Sequence, residues 1–541
     1  MKKLSYTTSN ATAPLLGETI GENLRKTVQK YPNNDALISV HQNYRATYKQ
    51  FHQEVIHLAK SLLADGVQFR DRVGIWSPNR YEWTLVQYAT AEIGAILVNL
   101  NPAYRVHELK FAINQSEISY VICPVKYKTS AYKKMLEEVG ENCISLKKTV
   151  FLDTPDWENL LKKGETISDA QLEEATAKTD FDQAINIQYT SGTTGFPKGV
   201  TLSHHNVLNN GYFIARRLEY TDADRVCIPV PFYHCFGMVI GNLACTSHGA
   251  CMVIPNDSFK ADLTLSAVEK EKCTSLYGVP TMFIAELSLD NFKNYNLSSL
   301  RTGVMAGSTC PEEIMKRVQS EMNMKDVTVC YGMTETSPVS LQTKIGAPLK
   351  KQVATVGTVM EHLEVKIIDP ETGKTQPIGK EGELCTRGYS VMLGYWNNPE
   401  TTQQVIDASR WMHSGDLAVM DADGYVSISG RIKDLIIRGG ENISPKSIED
   451  FLYTHPKILD IQVIGVPSEK YGEEIMAWIK LHQNVQCTEA ELLAFCKNQM
   501  AHYSVPKYWK FVNDFPMTVS GKIRKVEMRE MAIKEIVSTN R

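Results

Sequence analysis

Strand and helix patterns alternate from Asp71 onward, and this alternation restricts the possible folds more than any other feature of the chain. Arg72–Trp76 reads as a strand, Arg80–Ile93 as a helix, Ile96–Leu100 as a strand, Val106–Gln115 as a helix and Tyr120–Cys123 as a strand. Strands joined through helices are crossover units, and they build a parallel sheet covered on both faces. Ahead of this run, Phe51, Val55, Leu58 and Leu62 recur at helical spacing, and Asp65-Gly66 supplies a stop. The fold class is therefore α/β, with a large N-terminal domain of layered, mostly parallel sheets and flanking helices.

The C-terminal part reads differently. Leu435–Ile437 is a short strand, Ser444-Pro445 is a cap and first-turn proline, and Ile461–Ile464 and Ile475–Ile479 are strand-like. Thr488 and Glu491 have the spacing of a capping box for the helix carrying Leu492, Leu493 and Phe495. These elements predict a small α+β domain over 433–541, following a large domain over 1–432. The boundary falls at Arg431–Asp434, after the turn Asp423-Gly424 and the strand Tyr425–Ile428.

Charge excludes one class of partner. Lys+Arg number 58 against Asp+Glu 61, a net −3, which leaves no basic footprint for nucleic acid. A 43% hydrophobic content over 541 residues excludes disorder and a small disulfide-stapled fold. The twelve cysteines are scattered without a C-x-x-C pair, so they read as reduced thiols of a cytoplasmic protein. Leu4–Asn10 is too polar for the apolar core of a secretory signal. Cys227–Asn256 lacks Asp, Glu, Lys and Arg, yet prolines, glycines and polar residues interrupt it, so buried core beside a pocket is expected rather than a membrane span. Composition leaves monomer and homodimer equally open.

The segment Tyr189-Thr190-Ser191-Gly192-Thr193-Thr194-Gly195-Phe196-Pro197-Lys198-Gly199 sits between the strand-like stretches Ile185–Gln188 and Val200–Leu202. Glycines let backbone N–H groups turn toward one centre, hydroxyls add neutral donors and Lys198 adds charge, which together suit a polyphosphate. Pro197 and Gly199 flank the lysine, so this is not a Walker A loop. A Gly-rich surface turn is the plainer alternative.

With these residues the chain resembles the acyl-adenylate-forming superfamily of acyl-CoA synthetases, luciferases and nonribosomal adenylation domains. The likeness continues through Tyr331-Gly332-Met333-Thr334-Glu335, Gly382-Glu383-Leu384, Ser414-Gly415-Asp416-Leu417, Gly430–Asp434 and Pro516–Lys522, in family order over roughly residues 20 to 530. Pro231–Gly237 and Ile437–Ile443 look most like the medium-chain fatty acyl-CoA synthetases. The resemblance implies ATP, Mg²⁺ and CoA as cofactors and a fatty acid as substrate.

It also implies roles. Thr190, Ser191, Gly192, Thr193, Thr194, Gly195 and Lys198 would cradle the ATP phosphates. Lys522 would bridge the incoming carboxylate and the α-phosphate, where a protonated amine stabilises developing charge. Glu335 would hold Mg²⁺, a hard cation that takes oxygen ligands, with Thr334 on the phosphate and the Tyr331 ring beside adenine. Asp416 would accept from the ribose hydroxyls and Arg431 would contact ribose or phosphate; a plain surface ion pair is their alternative. Ser414 stands where the family often has Thr, and keeps the hydroxyl. Lys433 takes the hinge position, often Asp. Gly439 and Gly440 would let pantetheine pass beside the backbone, though a tight turn explains them as well.

The acyl pocket is the least constrained part. His234 resembles the family's aromatic gate, while a His amid apolar residues is more often a satisfied core group. Gly237 and Gly241, four apart, leave a groove for an alkyl chain or permit close packing. Gly307 resembles a family turn lining the acyl and nucleotide sites, or is an ordinary strand-end turn. The expected activity is an AMP-forming fatty acid–CoA ligase. A standalone adenylating enzyme that loads a carrier protein, a ligase of aryl or other acids, and a nucleotide-binding protein without activity are the alternatives. No fused carrier domain is expected beyond the Lys522 segment, since the chain closes at Arg541.

Overall fold

Alternating strands and helices do assemble into crossover units. The computed structural model describes residues 3–190, 197–307, 310–438, 441–497, 499–518 and 523–539. Its contacts divide the chain into two units: Thr7–Val365 with Thr386–His413, and Met1–Tyr6 with Lys366–Cys385 and Ser414–Arg541.

Two sheets lie wholly within the larger unit's described residues. One has the strand order Gly394–Tyr395, Lys198–Ser203, Ala184–Thr190, Ile96–Asn99, Arg72–Ile75, Tyr120–Pro124, Lys148–Leu152. Its pairs are parallel from Ala184–Thr190 to Lys148–Leu152, with Val73 opposite both Leu97 and Tyr120. The helix Tyr81–Glu92 is buried at every residue after the first, as a helix enclosed on all sides must be. Helix Tyr48–Ala64 is opened by a reciprocal Thr47/Gln50 capping box and buries Phe51, Val55, Leu58 and Leu62. Trp76 stacks on Tyr132 with centroids 3.5 Å apart. Their polar ends donate to Asn101 O at 2.9 Å and Pro102 O at 2.6 Å, which anchors the loop after Ile96–Asn99.

The second sheet runs Thr358–Val359, Val339–Gln342, Asp326–Gly332, Thr302–Ala306, Ser275–Gly278, Arg225–Cys227, Cys251–Ile254, Asp35–Ser39, Tyr44–Thr47. Its central pairs are parallel, from Asp326–Gly332 to Asp35–Ser39. The uncharged stretch that follows Arg225–Cys227 forms a π-helix over Phe236–Leu243, then the α-helix Ala244–His248, then the strand Cys251–Ile254. Among the described residues, no helix is long and apolar enough to cross a membrane.

The other unit has an antiparallel hairpin of Ile458–Ser468 and Gly472–Leu481 at its centre, with Ile464 opposite Met476. Strand periodicity splits its side chains between two cores. Ile461, Val463, Ile475, Ala477 and Ile479 pack with Ile448, Leu452, Leu492 and Cys496 on one face. Ile464, Val466, Met476 and Trp478 pack with Met528 and Ala532 of helix Lys525–Thr539 on the other. The Thr488 cap is one-sided: its side chain accepts from Glu491 N, while the Glu491 carboxylate is drawn to Lys457 at 2.7 Å. All twelve cysteines are free thiols, and only Cys487 is not buried.

Candidate active site

The phosphate-type segment is the loop of a β-hairpin. Ala184–Thr190 and Lys198–Ser203 pair antiparallel, and Thr190 lies directly opposite Lys198. The two ends of the loop are thus held at ladder distance, with Lys198 the first residue of the returning strand. Ser191, Gly192, Thr193, Thr194 and Gly195 lie outside the described residues.

Gly394–Tyr395 closes the far edge of this hairpin, with Tyr395 opposite Val200 and Gly394 opposite Thr201. Trp396 N–H donates to Gly199 O at 2.7 Å. The Lys198 Nζ lies 5.0 Å from the centroid of the Tyr395 ring, within range of a cation–π contact.

Glu335 is reached from the second sheet. Asp326–Gly332 ends with Tyr331 half-buried, and Gly332 is pressed so close to Pro338 O that a Cβ would stand 1.7 Å from it. The chain then makes the 3₁₀ turn Thr334–Thr336. Thr334 is half-buried at its start, and the Glu335 side chain turns inward, 6% exposed. Its Oε1 accepts from the Tyr395 hydroxyl at 2.9 Å, and its backbone O accepts from Met392 N at 2.9 Å. Burial first, then the Glu335 carboxylate, pushes the Tyr395 phenol well above its ordinary pKa, so it is the donor. Gly307 follows Thr302–Ala306, the parallel neighbour of Asp326–Gly332, with Ala306 opposite Cys330. Gly307 therefore sits beside Tyr331 at the carboxyl ends of these strands, with φ +92 and Val279 Cγ1 3.1 Å from where a Cβ would be. Carboxyl ends of parallel strands are where open α/β sheets bind ligands.

His234 is half-buried, with its ring centroid 4.1 Å from that of Tyr233. The segment is fastened from the first sheet: Asn99 Nδ2 donates to Tyr233 O at 3.1 Å, and Cys235 Sγ donates to Gln188 Oε1 at 3.3 Å. The Tyr233 hydroxyl is buried without a hydrogen-bond partner among the described residues. A Cβ on Gly237 would stand 2.4 Å from Pro231 O, and one on Gly241 3.1 Å from the Ile228 side chain. The space beside both glycines is thus filled by the segment's own chain.

In the other unit, Asp416 and Arg431 are cross-strand neighbours. Arg431 Nε donates to Asp416 Oδ1 at 2.7 Å, the acid side chain being 9% exposed and the base 65%. Ser414 Oγ accepts from Asp416 N at 3.0 Å and donates to Leu384 O at 2.6 Å, while Gly415 N donates to Glu383 Oε1 at 3.0 Å. Lys433 is exposed in the 3₁₀ turn Ile432–Asp434. Gly439, Gly440 and Lys522 lie outside the described residues.

Tyr395 was not among the residues that sequence reasoning singled out. It stands 60 residues from Glu335, and no local pattern marks a hydrogen bond formed only when two sheets meet. One cluster away from these residues, His455, Cys487 and Glu491, has metal-ligand atoms close together. His455 Nδ1 accepts from Lys457 N at 3.3 Å, and Glu491 is paired with Lys457 at 2.7 Å.

Residues 24–396 match the AMP-binding enzyme family, and residues 447–522 match the AMP-binding enzyme C-terminal domain. The chain belongs to the AMP-binding enzyme family. Lys198, Glu335 and Tyr395 fall within the first match and Lys522 within the second, while Asp416 and Arg431 lie between them. The "Putative acyl-CoA synthetase YngI" of Bacillus subtilis (strain 168) is 47% identical, over 96% of this chain and 98% of its own. The "Medium-chain acyl-CoA ligase ACSF2, mitochondrial" of Danio rerio is 42% identical, over 98% of this chain and 91% of its own. Among solved structures, the anthranilate CoA ligase AuaEII in complex with anthranoyl-AMP aligns with TM-score 0.86 and 25% identity, over 97% of this chain and 99% of that one.

Proposed function

We propose that this AMP-binding family enzyme is an ATP-dependent, AMP-forming acyl-CoA ligase acting on medium-chain fatty acids. A carboxylate resists direct attack by a thiol, because its carbon is shielded by negative charge and oxide cannot leave. It attacks the α-phosphorus of ATP instead, expelling pyrophosphate, and the resulting acyl-AMP then loses AMP to the thiol of CoA. The observation that carries this reading is the placement of Lys198 and Glu335 about one tyrosine side chain, at the base of a hydroxyl- and glycine-rich loop. A cation for phosphate and a hard anion for a metal then share one neighbourhood.

Glu335 fits Mg²⁺: it is a buried carboxylate, oriented by the Tyr395 phenol, and Mg²⁺ commonly takes one or two carboxylates plus phosphate oxygens. Bound there, the ion would offset charge on the ATP phosphates. The chain's own groups do the rest. Lys198 and the loop residues bind phosphate, Thr334 adds a hydroxyl, and Tyr331 presents a ring to adenine. Asp416 accepts from the ribose hydroxyls, with Arg431 beside it. Lys522 approaches the carboxylate and α-phosphate during adenylation. It must then yield to CoA, so we assign 433–541 as a mobile domain turning about Lys433, with Gly439 and Gly440 on the face used for thioester formation. His234 and Gly307 border the acyl site. Twelve free thiols support a reducing, cytoplasmic location.

The test is carboxylate-dependent exchange of labelled pyrophosphate into ATP without CoA, followed by AMP release with CoA across a series of straight-chain acids. Exchange with medium-chain acids, lost in Lys522→Ala, is the expected result. Exchange that survives the alanine substitution removes the lysine assignment. Absence of exchange with every acid tried removes the ligase reading.

A further inference from the structure

Tyr395 makes three connections from one short stretch of chain. Its strand is paired with the returning strand of the phosphate hairpin, its ring lies under the Lys198 ammonium, and its hydroxyl donates to Glu335. Met392 N–H, three residues earlier, holds the Glu335 backbone carbonyl, and Trp396 N–H, one residue later, holds Gly199. The Trp396 carbonyl accepts from Gln115 Nε2 at 2.6 Å, and Gln115 Oε1 accepts from the Tyr189 hydroxyl at 2.6 Å, so both hairpin strands are tied to this edge. Residues 392–396 therefore join the turn carrying Glu335 to the strand carrying Lys198.

We infer that Tyr395 is a positioning residue of the nucleotide site, setting the Glu335 carboxylate for the divalent cation and the Lys198 ammonium for the phosphates of MgATP. The inference rests on the ligase reading above. Its physical basis is that the tyrosine, itself neutral, contacts two charged groups. A hydrogen bond to an ionised carboxylate is roughly twice as strong as one between neutral groups, and a ring face attracts an ammonium ion. A lysine or arginine in this place would orient Glu335 equally well but would cancel its charge. The tyrosine orients both groups and leaves the charge of each for the ligand. The two functions also separate by atom: the hydroxyl serves Glu335 and the ring serves Lys198.

That separation defines the experiment. ATP binding to the full chain is measured by titration calorimetry with and without Mg²⁺, for wild type, Tyr395→Phe and Tyr395→Leu, alongside melting temperatures. Tyr395→Phe keeps the ring and loses the donor. Its metal-free ATP affinity is expected to stay within about twofold, while the tightening produced by Mg²⁺ falls about 10-fold or more, the scale of a lost hydrogen bond to a charge. Tyr395→Leu loses both contacts, so its metal-free affinity also falls, about two- to fivefold from the cation–π contact. The inference is overturned if Tyr395→Phe weakens ATP equally with and without Mg²⁺, or changes only the melting temperature. A wild-type protein that binds ATP without any response to Mg²⁺ overturns it too. Wild type that binds no ATP at all removes the ligase reading along with it.

Discussion

Asp416 and Arg431 face each other across an antiparallel pair, with the buried carboxylate accepting from the exposed guanidinium at 2.7 Å. Ser414 and Glu383 brace the backbone on either side of Gly415. The acid side chain is thus braced and 9% exposed, while that of the arginine is 65% exposed. Asp416→Ala is expected to raise the KM for ATP about 10- to 100-fold, the range for losing hydrogen bonds to a charged acceptor. Wild type is expected to prefer ATP to 2′-deoxy-ATP, and the variant to lose most of that preference. Equal discrimination in both proteins refutes the ribose assignment.

A second pair governs stability rather than binding. Arg438 Nε donates to Glu474 Oε2 at 2.7 Å, with the acid side chain 2% exposed and the base 14%. Its guanidinium also lies 4.7 Å from the Tyr471 ring centroid. Removing one partner of a buried ion pair strands the other charge, at a cost of about 3–5 kcal/mol. Glu474→Ala is expected to destabilise its unit by that amount in urea titration. The double substitution Arg438→Met with Glu474→Leu should recover most of the loss.

His204 sets part of the acid limit. The ring is fully buried, its Nδ1 accepts from Ile20 N at 3.2 Å, and burial lowers its pKa from 6.5 to about 3. The folded state keeps the ring neutral below pH 6.5 while the unfolded chain takes up a proton. Stability is therefore full above 6.5 and falls as pH drops toward 3, by up to about 1.4 kcal/mol per pH unit for this group. His204→Asn, which retains an acceptor, is expected to flatten the melting-temperature profile between pH 6 and pH 4. An unchanged slope contradicts this.

Glu286 has the opposite sign. Both carboxyl oxygens are buried without a hydrogen-bond partner among the described residues, and burial holds the acid well above its ordinary pKa. The folded state retains a proton that the unfolded chain releases near 4.5. Stability contributed by this group therefore decreases as pH rises above that value. Glu286→Gln stays uncharged at the same size, so it is expected to melt higher than wild type at pH 8 and similarly at pH 4. Differential scanning calorimetry at both values decides it.

Local physics made much of this legible. Helix Val106–Gln115 begins and ends where its apolar spacing places it, and strand Leu435–Ile437 is displaced by one residue, to Ile436–Arg438. Thr190 and Lys198 could be placed at the two ends of one inter-strand loop because strand-like stretches flank the glycines and hydroxyls on both sides. Gly237 and Gly241 could not be interpreted in that way. The residue type says only that space is needed, and the Pro231 carbonyl and Ile228 side chain that take it are known only once the π-helix has formed. Tyr395 was invisible for a related reason. Its partners Glu335 and Lys198 come from different sheets, and a tyrosine in a short edge strand has no periodicity to betray it. Arg438 and Glu474, on separate strands of their sheet, are hidden by the same distance along the chain.

The ladder that sets Thr190 against Lys198 separates spelling from address. Hairpin register follows from turn type and loop length, so exchanges between these two that keep both leave the ammonium on the same rung. One extra residue placed after Lys198, inside the strand, would turn that side chain to the opposite face of the sheet. Side-chain variation before Lys198 is thus compatible with an unmoved ammonium, whereas the first rung beyond it tolerates no slip.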